Sequence, residues 1–327
     1  MKHRLSSLTL VSVIAFAIVK TGISQSSTET AAQSPTENSS AIVAPESQRM
    51  LAMASKQLAD VKSVSAKIRH TTSVYDQQLV GSGNYLQLRH PDGLKVRLDL
   101  YIRTEDYVTS YQHVCNGRFL YTLENLGETA RLGKVDLNRV RDILKQRRDT
   151  APAFPTLDMI ASGGIPKILD ALAQHFSFSE PQSVTFEQVP MWALTGQWNA
   201  ESLKALLPNL PKVVSPQGRV VVDELPPQFP DKVFVLLGKD DLFPYRIEYR
   251  RANDRSSDAA ETAQPQNRAM LAMDFYQVQF GEDIDPLRFA FNPGQVKPED
   301  RTEQMLGRLI RSATTLQAQT ADEPIRR

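Results

Sequence analysis

Alternating apolar and polar positions dominate the first half of the chain. Val64, Ala66 and Ile68 alternate with Ser65, Lys67 and Arg69. Leu94, Val96, Leu98 and Leu100 alternate with Lys95, Arg97 and Asp99. A period of two with one apolar and one wet side predicts antiparallel strands that cover a core with one face. Residues 83–90 and 113–124 continue the meander, and Asn116-Gly117 supplies a tight hairpin turn. The rhythm turns helical at three places. Residues 46–61 set Leu51, Ala54, Leu58 and Val61 on one face; residues 138–148 read as a polar helix. Residues 165–176 place Ile165, Ile168, Leu169, Leu172 and Phe176 on one stripe, with Pro166 in the first turn.

Further on, residues 184–199 read as a single strand with Trp192, Leu194 and Trp198 on one side. Residues 232–238 form an apolar strand. Tyr245, Ile247 and Tyr249 alternate with Arg246, Glu248 and Arg250, and residues 270–280 return as the second arm of that hairpin. Its tip, residues 252–266, is a polar insertion of the kind hairpin tips tolerate. Residues 200–211 are a short helix or a loop, and residues 302–316 an amphipathic helix. About ten antiparallel strands with helices inserted midway predict an α+β fold, a strongly curved antiparallel half-barrel sheet covered by a few helices. Between the layers lies either a packed core or a ligand cavity.

Charge and composition narrow the function. The 327 residues carry 38 Lys+Arg against 37 Asp+Glu, with no basic stripe, which argues against nucleic acid as a partner. Lys2, His3 and Arg4 precede an apolar run from Leu8 to Val19, with Gly22 and Ser24 as small residues for cleavage. This is a signal peptide over 1–24, or an uncleaved anchor, and the expected location is periplasmic or secreted. Residues 25–45 are a polar linker, 46–318 one domain and 319–327 a disordered tail. Asn38-Ser39-Ser40 matches a glycosylation acceptor. The single cysteine, Cys115, sits in an alternating strand and reads as a small buried side chain.

No constellation for catalysis is legible. The five histidines are scattered, Gly81-Ser82-Gly83 lacks the nucleophile-elbow pattern, and no phosphate-cradling glycine loop occurs. Asp223-Glu224 and Asp240-Asp241 read as solvated turn carboxylates. The expectation is a monomeric, non-enzymatic protein without metal or cofactor.

Three segments resemble the bacterial lipoprotein carrier family LolA and its relatives. Gly83-Asn84-Tyr85-Leu86-Gln87-Leu88-Arg89-His90-Pro91 resembles that family's Gly-x-Leu-x-x-x-Arg-Pro strand. Asn116-Gly117-Arg118-Phe119-Leu120-Tyr121 is similar to its Asp-Gly-x-x-Leu-Trp hairpin. Phe289-Ala290-Phe291-Asn292-Pro293, with Pro298-Glu299-Asp300, is similar to its closing Phe-x-Phe-x-Pro segment. Order and spacing agree from about residue 46 to 302. The resemblance implies a half-open sheet under a helical lid, with a cavity for acyl chains of lipoproteins or other lipids. It also implies an arginine before the proline that latches the lid. Here His90 holds that place and Arg89 precedes it, so either side chain, or neither, is the latch.

The candidate cavity residues are Leu86, Leu88, Val96, Leu98, Leu100, Phe119, Tyr121, Trp192, Leu194, Trp198, Val233, Val235, Ile247 and Tyr249. The candidate lid is the stripe from Ile165 to Phe176, with Ser162-Gly163-Gly164 as a hinge or an ordinary loop. A second function on the same scaffold is a lipid-sensing or protein-binding module with an envelope protein partner.

Overall fold

The computed structural model describes residues 45–74, 77–103, 108–127, 129–146, 157–227, 229–251 and 268–307. The signal segment, nearly all of the linker with its Asn38 site, the 252–266 insertion and the tail lie outside the described residues.

The elements run α1 (Pro45–Asp60), β1 (Ser63–Val74), β2 (Gln77–His90), β3 (Gly93–Arg103), β4 (Val108–Cys115), β5 (Phe119–Leu126) and β6 (Thr129–Asp136). Then come α2 (Leu137–Gln146), α3 (Leu157–His175), β7 (Phe176–Phe178), β8 (Gln182–Phe186), β9 (Val189–Trp198) and α4 (Ala200–Leu206). The chain closes with β10 (Lys232–Gly238), β11 (Pro244–Arg251), β12 (Arg268–Phe280) and β13 (Glu299–Asp300).

The fold is a single open sheet with helices on its concave face. Its strand order is β13-β6-β5-β4-β3-β2-β1-β12-β11-β10-β9-β7, with β8 also on β9. Every pairing is antiparallel except β13 with β6. Two meanders, β1–β6 and β9–β12, join where β1 pairs β12. The chain therefore leaves the β6 edge and must reach the β9 edge. The segment that makes this crossing contains α3, which packs on α1, β3 and β4.

Local chemistry explains the boundaries. Asn116 Oδ1 accepts from the N–H groups of Arg118 (3.0 Å) and Phe119 (2.8 Å), while Gly117 takes φ +98°, so the β4–β5 turn forms where the sequence predicts it. Asn199 caps α4 by accepting from the N–H groups of Glu201 and Ser202. Cys115 is buried and packs in the main core.

Three expectations change. The sheet has thirteen strands rather than about ten. The single strand expected over 184–199 is a hairpin, β8–β9, turning at Glu187 (φ +47°) and Gln188 (φ +67°). Both central residues are left-handed, yet neither is the Gly or Asn that usually marks such a turn. The helix expected over 165–176 starts at Leu157 and ends at His175, and Phe176 opens β7 instead.

Candidate functional site

Pairing registers decide which side chains share a face. Across the sheet, Ile68 lies opposite Gly83 and Phe275, Tyr85 opposite Ala66 and Leu98, and Val235 opposite Leu194 and Ile247. These residues line the concave side. They form one continuous core with Leu51, Ala54 and Leu58 of α1 and with Ile160, Ile165, Ile168, Leu169 and Leu172 of α3. Of the candidate cavity residues, Val96, Leu98, Leu100, Leu194, Trp198, Val233, Val235, Ile247 and Tyr249 all belong to this core, with Trp192 half-buried at its margin. Phe176 belongs too, stacked on Trp198 at 4.3 Å between ring centroids. Between sheet and helices, Leu169, Leu172, Leu194 and Val235 are fully buried.

Four candidates point the other way. Leu86 and Leu88 lie on the convex face, packed with Ile284 and Phe289. Phe119 and Tyr121 are there as well. Lys134 Nζ sits 3.9 Å over the Phe119 ring, and Tyr121 stacks on Phe291 at 4.8 Å. The cause is the closing segment, residues 284–291, which straps across the outer face of β2–β5. Arg97 Nη1 holds it by donating to Arg288 O (3.0 Å). Beneath the strap the outer positions are apolar too, so alternation no longer tells inside from outside.

The inner positions of β2 are Tyr85, Gln87 and Arg89, and each holds a helix. The Ile165 N–H donates to Tyr85 Oη (3.0 Å), Tyr85 O–H donates to Gln87 Oε1 (2.6 Å), and Gln87 Nε2 donates to Leu58 O at the end of α1 (3.0 Å). Arg89 Nη1 donates to Asp60 O (3.0 Å), where its charge also suits a helix C-terminus. Arg89 thus binds α1 and not α3, while His90 Nδ1 accepts from the Asp92 N–H in the adjoining turn (3.3 Å). Tyr85 is fully buried, and burial raises its phenol pKa far above the ordinary range, so it stays a hydrogen-bond donor.

Tyr85 meets α3 at a break. Gly164 has φ +70° and ψ −173°, a region open to glycine alone. A side chain there would also overlap the Gln87 amide oxygen. The break exposes the Ile165 N–H as the free donor of a new helix start, and Tyr85 satisfies it. Pro166 follows, where its missing N–H does no harm. Two further bonds tie α3 to α1: Gln48 Nε2 to Ala173 O (2.8 Å) and Ser55 Oγ to Pro166 O (3.1 Å).

Sequence reasoning passed over Tyr85 and Gln87 because Leu86 and Leu88 looked like the core face. The signal available was Gln87: an uncharged polar residue between two leucines that turns out fully enclosed must have a dedicated partner.

No family profile and no curated protein matches the chain. Solved structures align over most of it at low identity. An uncharacterized conserved protein from Thermus thermophilus is 10% identical over 78% of this chain and 99% of its own, with a TM-score of 0.40. The lipoprotein LppX from Mycobacterium tuberculosis is 10% identical over 74% and 99%, with a TM-score of 0.36. A domain assigned to outer membrane lipoprotein sorting, from Vibrio parahaemolyticus, is 10% identical over 73% and 95%, with a TM-score of 0.30. The fold assignment rests on strand order and on the layer of helices. No helix among the described residues is long and apolar enough to cross a membrane.

Proposed function

We propose that the protein is a non-catalytic lipid-binding protein of the cell envelope. It takes an acyl chain of a lipoprotein or another lipid between the concave sheet face and α3, with α3 as the lid. One observation carries this reading. The helix that covers the apolar face is broken at Gly164, and at that break its polar tie to the sheet is the single Tyr85 hydroxyl.

Magnitudes make the exchange feasible. A sixteen-carbon chain contributes on the order of 12 kcal/mol on burial, before ordering costs. Ile165, Ile168, Leu169 and Leu172 would lose roughly 6–12 kcal/mol between them on leaving the core. The two terms are comparable, so a guest chain can replace the α3 stripe without unfolding the sheet. In this reading α3, packed on the core, takes the place that the guest would occupy. Release of the break from Tyr85 then starts the opening, and Gly163 and Gly164 supply the backbone freedom.

Native mass spectrometry of protein purified from its host tests the reading. Co-purifying acyl lipid is the expected result, and Tyr85→Phe should take up a fluorescent fatty acid at least as fast as the wild type. A protein that arrives without lipid, holds a stable protein partner instead, and takes up no fatty acid in either form would refute carriage.

A further inference from the structure

The β8–β9 hairpin overhangs the end of β10 and bends across the convex face. Arg246 of β11 lies 5.9 Å from the Phe186 ring, and Glu187 Oε1 reaches within 3.9 Å of Arg69 Nη2 on β1. Between this arch and the outer face of β12, β1, β2 and β3 lies a half-open groove of about 950 Å³. That volume matches pockets that take small organic ligands.

Two features set the groove apart from the rest of the surface. Among the described residues nine large apolar side chains are exposed, and five of them line it: Val80, Tyr101, Val108, Val189 and Tyr276. Among the same residues four non-glycine positions have positive φ, and Glu187, Gln188 and Gln277 cluster at its arch and wall. Each left-handed residue costs about 1 kcal/mol or more, and such strain persists where surrounding structure enforces it.

The charges of the groove are unequally engaged. In its lining Asp274 is held by Arg69 (3.3 Å) and, from outside the lining, by Arg246 (3.2 Å). Glu187 is the second carboxylate of the lining. Arg103 stands exposed on the lining, without an ion pair among the described residues. Of the two arginines in the lining, Arg69 is thus paired with Asp274 and Glu187, whereas Arg103, without such a partner among the described residues, lies beside the apolar rim.

We propose that this groove is a second binding site, separate from the concave face, for an amphiphile with an anionic head and a hydrocarbon or aromatic body. The head sits against Arg103 and the outward side of Arg69. The body lies on Tyr101, Val80 and Val189 under the arch. This inference does not depend on the lid reading, because no residue of α1 or α3 lines the groove.

The test uses a dansyl-labelled undecanoate, read by fluorescence, with dodecyl phosphate and dodecyl maltoside as competitors. Dodecyl phosphate should displace the probe about tenfold better than the maltoside, the factor of one charge-assisted contact. Arg103→Glu and Val189→Asp should each weaken the probe about tenfold or more. Both side chains are exposed, so the variants should keep the wild-type urea midpoint. Tyr85→Phe should leave this component unchanged, which separates it from uptake at the concave face. Equal displacement by both competitors, or wild-type affinity in both groove variants, overturns the proposal. So does a Val189→Asp protein whose only change is loss of self-association, since the groove would then be a contact between copies.

Discussion

The two faces of one sheet solve opposite problems with the same strands. The concave face is apolar from β4 to β9 and is sealed by α1 and α3, so its stability lies in burial. The convex face carries the chain of ion pairs Arg69–Asp274–Arg246–Glu248–Arg250 and covers its apolar spots piecemeal: the 284–291 strap over Leu86 and Leu88, the β8–β9 hairpin beside Met191 and Leu236. The contrast teaches that facing, not hydrophobicity, separates the regions. Leu88 and Leu98 are both buried leucines, yet only Leu98 touches the helical layer.

The largest expected effect comes from emptying the sealed face. Leu169→Ala should lower stability by about 2–5 kcal/mol, whereas Val80→Ala in the groove should stay within about 0.5 kcal/mol. Urea denaturation of the pair measures the contrast directly, and equal losses would abolish it.

Next in size is the polar tie. Tyr85→Phe leaves the Ile165 N–H and one Gln87 oxygen lone pair unsatisfied inside the core, a loss of about 1–3 kcal/mol. Hydrogen exchange should then rise at residues 165–168 and not in β2. A uniform rise across the sheet would mean that the hydroxyl supports the whole fold and no particular helix.

Acid should distinguish the faces by window. His70 is buried on the concave side. Burial lowers its pKa, partly offset by a backbone hydrogen bond at Tyr101. The folded state therefore resists protonation. Stability is full above the ordinary histidine pKa of about 6.5 and declines as pH falls below it. Glu248 belongs to the convex face. Burial alone would raise its pKa, but the hydrogen bond and charge of Arg250, with the charge of Arg246, outweigh that and hold it below the usual range. Its contribution is present above about pH 4.3 and is lost as pH falls through the depressed value. Urea midpoints against pH should show two separate declines. His70→Gln should flatten the upper one and Glu248→Gln the lower.

The smallest effect belongs to Arg89→Ala. The side chain is exposed, so the change should stay within about 0.5 kcal/mol, read from thermal midpoints. A larger loss would make Arg89, and not Tyr85, the residue that governs the helical layer.

Much of the architecture was legible in the residues themselves. Period-two alternation in β1, β3 and β11 determined strands with one apolar face, because successive Cβ atoms leave opposite sides of a pleated chain. Asn116-Gly117 determined a turn, and the 3.6-residue stripe determined that α3 lies on a core. Only the tertiary structure decided facing and closure. Leu86 and Tyr85 are both compatible with burial, and their roles depend on a strap from residue 284 onward, some two hundred positions away. The Glu187–Gln188 turn depends in the same way on the arch it forms over Arg69. Gly164 permitted a break, but the break became a specific contact only because the pairing of β2 with β1 and β3 carries the Tyr85 hydroxyl beneath it. Local sequence sets what each segment can be, because backbone sterics act over a few residues. Which of two greasy faces looks inward is set by what covers the other, and that is a property of the whole chain.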